Sequence, residues 1–174
     1  MIDHLPELID AGIDSFKIEG RAKSEYYVAV ITNAYRQAID GYLAAPSPTY
    51  RPAQWILDEV QKVSYRDYCT GFFFGDPKDD ANISFRGGYN RVWDVMAIVD
   101  HSENGRVYCT QRNRFFTGDT LEVLLPGQAP FSVTAQDLRN EAGDMIDATN
   151  HPMMAFSFAC ERPLLKDAIL RKAR

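Results

Sequence analysis

The chain has 174 residues, 45% of them hydrophobic and 25% charged, with a formal net charge of -5. These are globular proportions, enough for one ordinary domain or a small domain plus part of another, and they exclude wholesale disorder. The negative balance also excludes nucleic-acid binding through bulk charge alone, although residues 105–174 carry slightly more basic than acidic side chains.

Residues 3–11 predict a short helix, with Leu5, Leu8 and Ile9 on one side and Gly12 ending it. A strand is expected over 14–19, with Phe16 and Ile18 on one face and Lys17 and Glu19 on the other. A helix follows from about Lys23 to Tyr42. Its apolar face comes from Tyr26, Val30, Ala34 and Ala38, flanked by Tyr27, Ile31 and Tyr35. One strand cannot build a sheet, so this βα unit requires strands from outside the region. The prolines at 46, 48 and 52 mark a boundary, and a second helix is expected over 53–64 with Trp55, Leu57, Val60 and Val63. Phe72, Phe73 and Phe74 cannot all face one way on a strand and are expected to pack in a seam between domains. Residues 76–82 predict a polar loop.

From Arg91 the pattern changes to short strands and turns. Strands are expected over 92–99, 107–111, 121–125, 131–135 and 153–159, and Asn104-Gly105 is a strong hairpin turn. Spacing near ten residues suggests a small closed barrel or a sandwich. Residues 164–174 predict a basic helix or a frayed tail.

Candidate chemistry starts with Lys17, Glu19 and Arg21. In an α/β protein the carboxyl end of a strand faces the ligand, and Lys17 and Glu19 on one side can pair there. Arg21, just before a helix N-terminus, suits a carboxylate or phosphate. Arg112, Asn113, Arg114, Phe115 and Phe116 mix cations with aromatic planes, as RNA-binding surfaces do. The competing expectation puts both phenylalanines in the core. Arg86, with Gly87, Gly88 and Tyr89, offers a similar combination. Lys166, Arg171, Lys172 and Arg174 can extend such a surface. His4, His101 and His151 lie in different regions and adjoin no recognised nucleophile setting, so a self-contained peptidase site is not expected. No metal site is expected either. Cys69, Cys109 and Cys160 form no CxxC pair and read as buried free thiols; their odd count and the lack of a leader suggest the cytoplasm. The apolar runs are too short to span a bilayer, so no membrane partner is expected.

The stretch Leu8-Ile9-Asp10-Ala11-Gly12-Ile13-Asp14-Ser15-Phe16-Lys17-Ile18-Glu19-Gly20-Arg21, followed by Lys23-Ser24, Tyr27-Val28 and Tyr35-Arg36, resembles the end of the catalytic domain of the peptidase U-32 family, the collagenase-like proteases. Thr70-Gly71-Phe72, Asn113-Arg114-Phe115, Gly118-Asp119-Thr120-Leu121-Glu122 and His151-Pro152 resemble the region that follows it. The resemblance implies an α+β chain: the terminal βα unit of a TIM-type barrel (1–45), a linker and helix (46–84), and a small, mainly antiparallel β-barrel like the second domain of elongation factors (85–174). It implies a missing N-terminal barrel of the same protein as partner, and Lys17, Glu19, Arg21 and Lys23 as substrate-binding residues of that intact barrel. It further implies prephenate-dependent hydroxylation of tRNA wobble uridine, with Arg86, Arg112 and Arg114 binding RNA. The resemblance also implies an iron–sulfur cluster and prephenate for the full-length protein; no cofactor is expected in this chain, which alone should be catalytically inert. The alternatives are a collagenase-like peptidase and a non-catalytic protein-interaction barrel.

Overall fold

A computed structural model describes residues 1–76, 78 and 88–174. The chain divides into two units, Met1–Val92 and Trp93–Arg174.

In the first unit a 3-10 turn at Ile2–His4 runs into helix α1 (Leu5–Asp10), which Pro6 helps to start. Gly12, at a φ of +81°, ends it, as the sequence requires. Helix α2 (Glu25–Ala44) is capped by Ser24, whose hydroxyl accepts the Tyr27 N–H (3.2 Å), and buries Val30, Ile31, Ala34, Ala38 and Tyr42. Residues 46–64 fold back onto α2. The Tyr50 hydroxyl donates to the Ala38 carbonyl (2.8 Å), and the close approach needs Gly41, where a Cβ would stand 2.5 Å from that hydroxyl. Helix α3 (Gln54–Glu59) is shorter than expected. Gln61 and Lys62 donate three residues back, tightening the last turn, while Tyr26 and Lys23 take the carbonyls of Lys62 and Ser64.

The strand expected over 14–19 is not formed. The segment keeps the expected alternation, Phe16 and Ile18 half-buried and Lys17 and Glu19 exposed, but belongs to no strand. Among the described residues no second strand lies in this unit to complete a ladder, so the backbone lacks the partner that would make it one. The three phenylalanines at 72–74, expected in a seam between domains, are 85%, 63% and 58% exposed.

The second unit is a curled antiparallel sheet of seven strands: β1 (Trp93–Glu103), β2 (Arg106–Gln111), β3 (Thr120–Leu124), β4 (Phe131–Thr134), β5 (Gln136–Asn140), β6 (Ala155–Ala159) and β7 (Ile169–Ala173). Their order across the sheet is β4-β3-β7-β1-β2-β6-β5. Asn104 and Gly105, both at positive φ, make the two-residue turn between β1 and β2. The edge strands β4 and β5 are separated in sequence by a single buried residue, Ala135, so the sheet must curl to bring its two sides together. The core inside the curl includes Val99, Val107, Cys109, Phe115, Leu121, Leu138, Phe158 and Leu170.

Two features of this unit depart from the sequence reading. Residues 164–174 contain β7, a central strand between β1 and β3, and neither a helix nor a tail. Arg171 is completely buried there because Glu122, opposite it on β3, accepts from its Nε (2.8 Å) and from its Nη2. The unexpected strand β5 carries Asp137 at a φ of +48°, where Arg106 holds its carboxylate (2.5 Å) and its carbonyl (2.7 Å).

Candidate functional site

In the first unit, Lys17 and Glu19 line an open cavity of about 670 Å³ between the 13–19 segment and the helices. Its other walls are mostly apolar, among them Leu5, Leu8, Ile31, Leu57 and Val60. Glu19 does not pair with Lys17. Its Oε1 accepts the backbone N–H of Arg21 (2.9 Å), which fixes the turn that leads into α2. Arg21 is exposed ahead of the α2 N-terminus. Lys23 is held differently: its Nζ donates to the Ser64 carbonyl (2.9 Å) and stands over the rings of Tyr89 (3.9 Å) and Tyr27 (5.1 Å). Lys17, Glu19 and Arg21 thus share one short segment, and Lys23 faces a different set of neighbours.

In the second unit, residues 112–119 cross from β2 to β3 beside residues 145–154, joined by the Phe116–Ala148 bridge and by the Thr117 N–H to the Asp147 carbonyl (2.8 Å). Chain alternation separates the two phenylalanines. Phe115 is buried, edge-on to Phe156 at 5.4 Å, and Phe116 is 49% exposed with the Arg114 guanidinium 4.8 Å from its ring centre. Phe115 therefore belongs to the core and Phe116 to the surface. Arg112 donates to the sulfur of exposed Met153 (2.7 Å), and Asn113 is tied to the Val95 carbonyl (2.7 Å). Arg86 lies outside the described residues.

Arg171, Lys172 and Arg174, near the C-terminus, are engaged within the second unit. Arg171 is buried, Lys172 pairs with Asp119 (2.7 Å), and Arg174 grips Asp94 (2.6 and 2.8 Å). Burial alone would raise the Asp119 pKa, but the bonds from Lys172 and the Phe116 N–H, with the Lys172 charge, hold it below the usual carboxylate range. Arg139 and Arg106 likewise hold the Asp137 carboxyl low.

His4 contacts Glu7 (3.4 Å) and the Phe74 ring (4.4 Å), His101 stacks on Tyr108 (4.4 Å), and His151 is exposed. The cysteines are not the three buried thiols expected from the sequence: Cys69 is exposed, Cys160 is half-buried, and Cys109 is buried with its thiol pKa pushed up by burial. They do not fit an iron–sulfur cluster, since among the described residues no group of three or more Cys, His, Asp or Glu stands where a metal could be held. Among the described residues no helix is long and apolar enough to cross a membrane.

Sequence reasoning missed Met153 as a neighbour of Arg112, and Arg66 and Arg91 as neighbours of Tyr89 and Ser64. No local pattern connects these residues. The sequence around Arg66 (Tyr65, Asp67) and Arg91 (Asn90, Val92) is too common to mark a site.

The chain is similar to tRNA hydroxylation protein P1 of Bacillus subtilis, 32% identical over 176 residues, covering 100% of this chain and 42% of that protein. It is also similar to a collagenase of Porphyromonas gingivalis, 30% identical over 74 residues, 42% of this chain and 20% of that protein. The chain therefore spans less than half the length of these curated relatives. A solved C-terminal domain of a Geobacillus thermoleovorans putative U32 peptidase aligns with 45% of this chain and 99% of its own length, at 28% identity and a TM-score of 0.43. The sequence pattern of peptidase family U32 matches residues 1–83, and that of the peptidase family U32 C-terminal domain matches residues 91–171. Two adjoining matches to one family account for nearly the whole chain, and the protein belongs to peptidase family U32.

Proposed function

We propose that the protein takes part in tRNA hydroxylation, at wobble uridine and with prephenate, and that its curled sheet helps to position the RNA. The observation that carries this reading is the exposed Arg114–Phe116 stack beside Arg112, neither arginine being paired with a carboxylate among the described residues. An aromatic face accepts an unpaired base, and a guanidinium beside it reaches a phosphate. The similarity to tRNA hydroxylation protein P1 across the whole chain supports the same reading. Residues 14–19 then supply the last strand of a TIM-type barrel completed by the rest of the protein. Lys17 and Arg21, at its carboxyl end, suit the two carboxylates of prephenate. An iron–sulfur cluster, if the activity uses one, takes its ligands from outside this chain.

The decisive experiment is nucleoside mass spectrometry of tRNA from cells lacking the gene, with and without complementation. Hydroxylated uridine should vanish and return with the intact gene. Complementation by the Arg21→Ala variant should leave it absent while the protein accumulates normally; unchanged modification would remove Arg21 from the site. If tRNA is unaltered, ribosomal RNA from the same cells comes next. If both are unaltered, the peptidase reading takes the lead, supported by the similarity to the Porphyromonas collagenase.

A further inference from the structure

Three cations of the first unit converge on one serine and one tyrosine. Lys23 Nζ donates to the Ser64 carbonyl (2.9 Å) and stands 3.9 Å from the centre of the Tyr89 ring. The Arg66 guanidinium lies 4.8 Å from the same ring centre, and Arg91 Nε donates to Ser64 Oγ (3.3 Å). Among the described residues none of the three forms an ion pair, whereas Arg106, Arg139, Arg171, Lys172 and Arg174 of the second unit all do. The nearby carboxylate, Asp67, accepts the Asn90 amide (3.1 Å).

The cluster is built on fixed backbone. Tyr65 and Asn90 exchange both backbone hydrogen bonds (3.2 and 2.8 Å), which locks the segments of Arg66 and Arg91 side by side. Lys23 directly precedes Ser24, the cap of the 20-residue helix α2, so the positive end of a long helix adds to the same potential. Lys23 and Arg66, which share one ring, stand within the screening length of about 10 Å at 0.1 M salt and repel each other. The ring attracts each of them by only about 0.5–1 kcal/mol at an exposed site. An anion between the three would relieve the repulsion.

We propose that Lys23, Arg66 and Arg91, arranged around Tyr89 and Ser64, form a phosphate-binding site for the RNA backbone. The choice of RNA over a free phosphate rests on the function proposed above; the anion site itself rests on the geometry. It lies in the first unit and is additional to the Arg112, Arg114 and Phe116 surface of the second.

The test titrates the 174-residue chain with unmodified tRNA over a range of salt concentrations, and separately with inorganic pyrophosphate. Neutralising one cation that touches a phosphate lowers the slope of log affinity against log salt by about one. The Arg66→Gln/Arg91→Gln double variant should lower the slope by about two, and Arg66→Lys/Arg91→Lys should restore it. Lys23 is left in place because it also ties the loop to Ser64. If the double variant fails to fold by circular dichroism, each single variant should lower the slope by about one. An unchanged slope in folded variants, with tRNA still bound, overturns this site and leaves the RNA reading standing. Pyrophosphate binding that the variants abolish, with no tRNA binding by the parent chain, supports the anion site and overturns the RNA reading. Binding of neither ligand overturns both.

Discussion

The two units satisfy their backbones in different ways. The second pairs each of its seven strands with another, in six antiparallel pairings, and its two edge strands are joined through buried Ala135. The first packs three helices well but leaves residues 14–19 extended without a ladder, beside a largely apolar cavity. Residues 14–19 keep the residue alternation of a strand without the ladder hydrogen bonds of one.

The chain contains one tryptophan on each side of the division, Trp55 and Trp93, so single-tryptophan variants can follow each unit by fluorescence during denaturation. The largest expected effect is in the second unit. Phe158→Ala empties a fully buried position and should cost about 3–5 kcal/mol, seen as a lower denaturant midpoint for Trp93. If Trp55 shifts equally, the units unfold as one and do not differ in stability. Next is Ser24→Ala, which removes the α2 cap and should cost about 1 kcal/mol, read at Trp55 with Trp93 unmoved.

The smallest effect concerns acid. Asp119 and Asp137 both have lowered pKa values in the folded chain. Their contribution is therefore present above the unfolded carboxylate value, about 3.9, and is lost as pH falls from there through the lower folded values. The Trp93 transition should weaken with acid in that window. Asp137→Asn keeps a residue that tolerates positive φ and should flatten part of the dependence. An unaltered acid profile would show that the Arg106 and Arg139 contacts contribute nothing measurable to it.

Local signals revealed α1, α2 and the turn at Asn104-Gly105, because spacing, capping and positive-φ preferences act within a few residues. They failed where a distant residue decides. Leu164–Arg174 looks like a basic amphipathic segment until Glu122 on β3 neutralises Arg171 in the interior. The strand β5 is poor in β-branched residues, and its irregular start is held by Arg106 on another strand. The site was legible to a similar degree. Lys17, Glu19 and Arg21 share one segment in sequence and in space, and the division of labour between Phe115 and Phe116 follows from alternation. The Lys23, Arg66 and Arg91 cluster draws on three separated segments and needed the fold to bring it together.

The central place of β7 also governs how the sheet can be made on the ribosome. The strands β1, β2, β6 and β5 form one block and β3 with β4 another, and β7 is the strand that joins the two blocks by ladder bonds. Translation delivers it after all the others. A nascent chain halted before Ile169 therefore holds two partial sheets with open edges, which neighbouring chains on a polysome can pair with. The sheet is completed only when the five residues of its last strand emerge, after the other six strands.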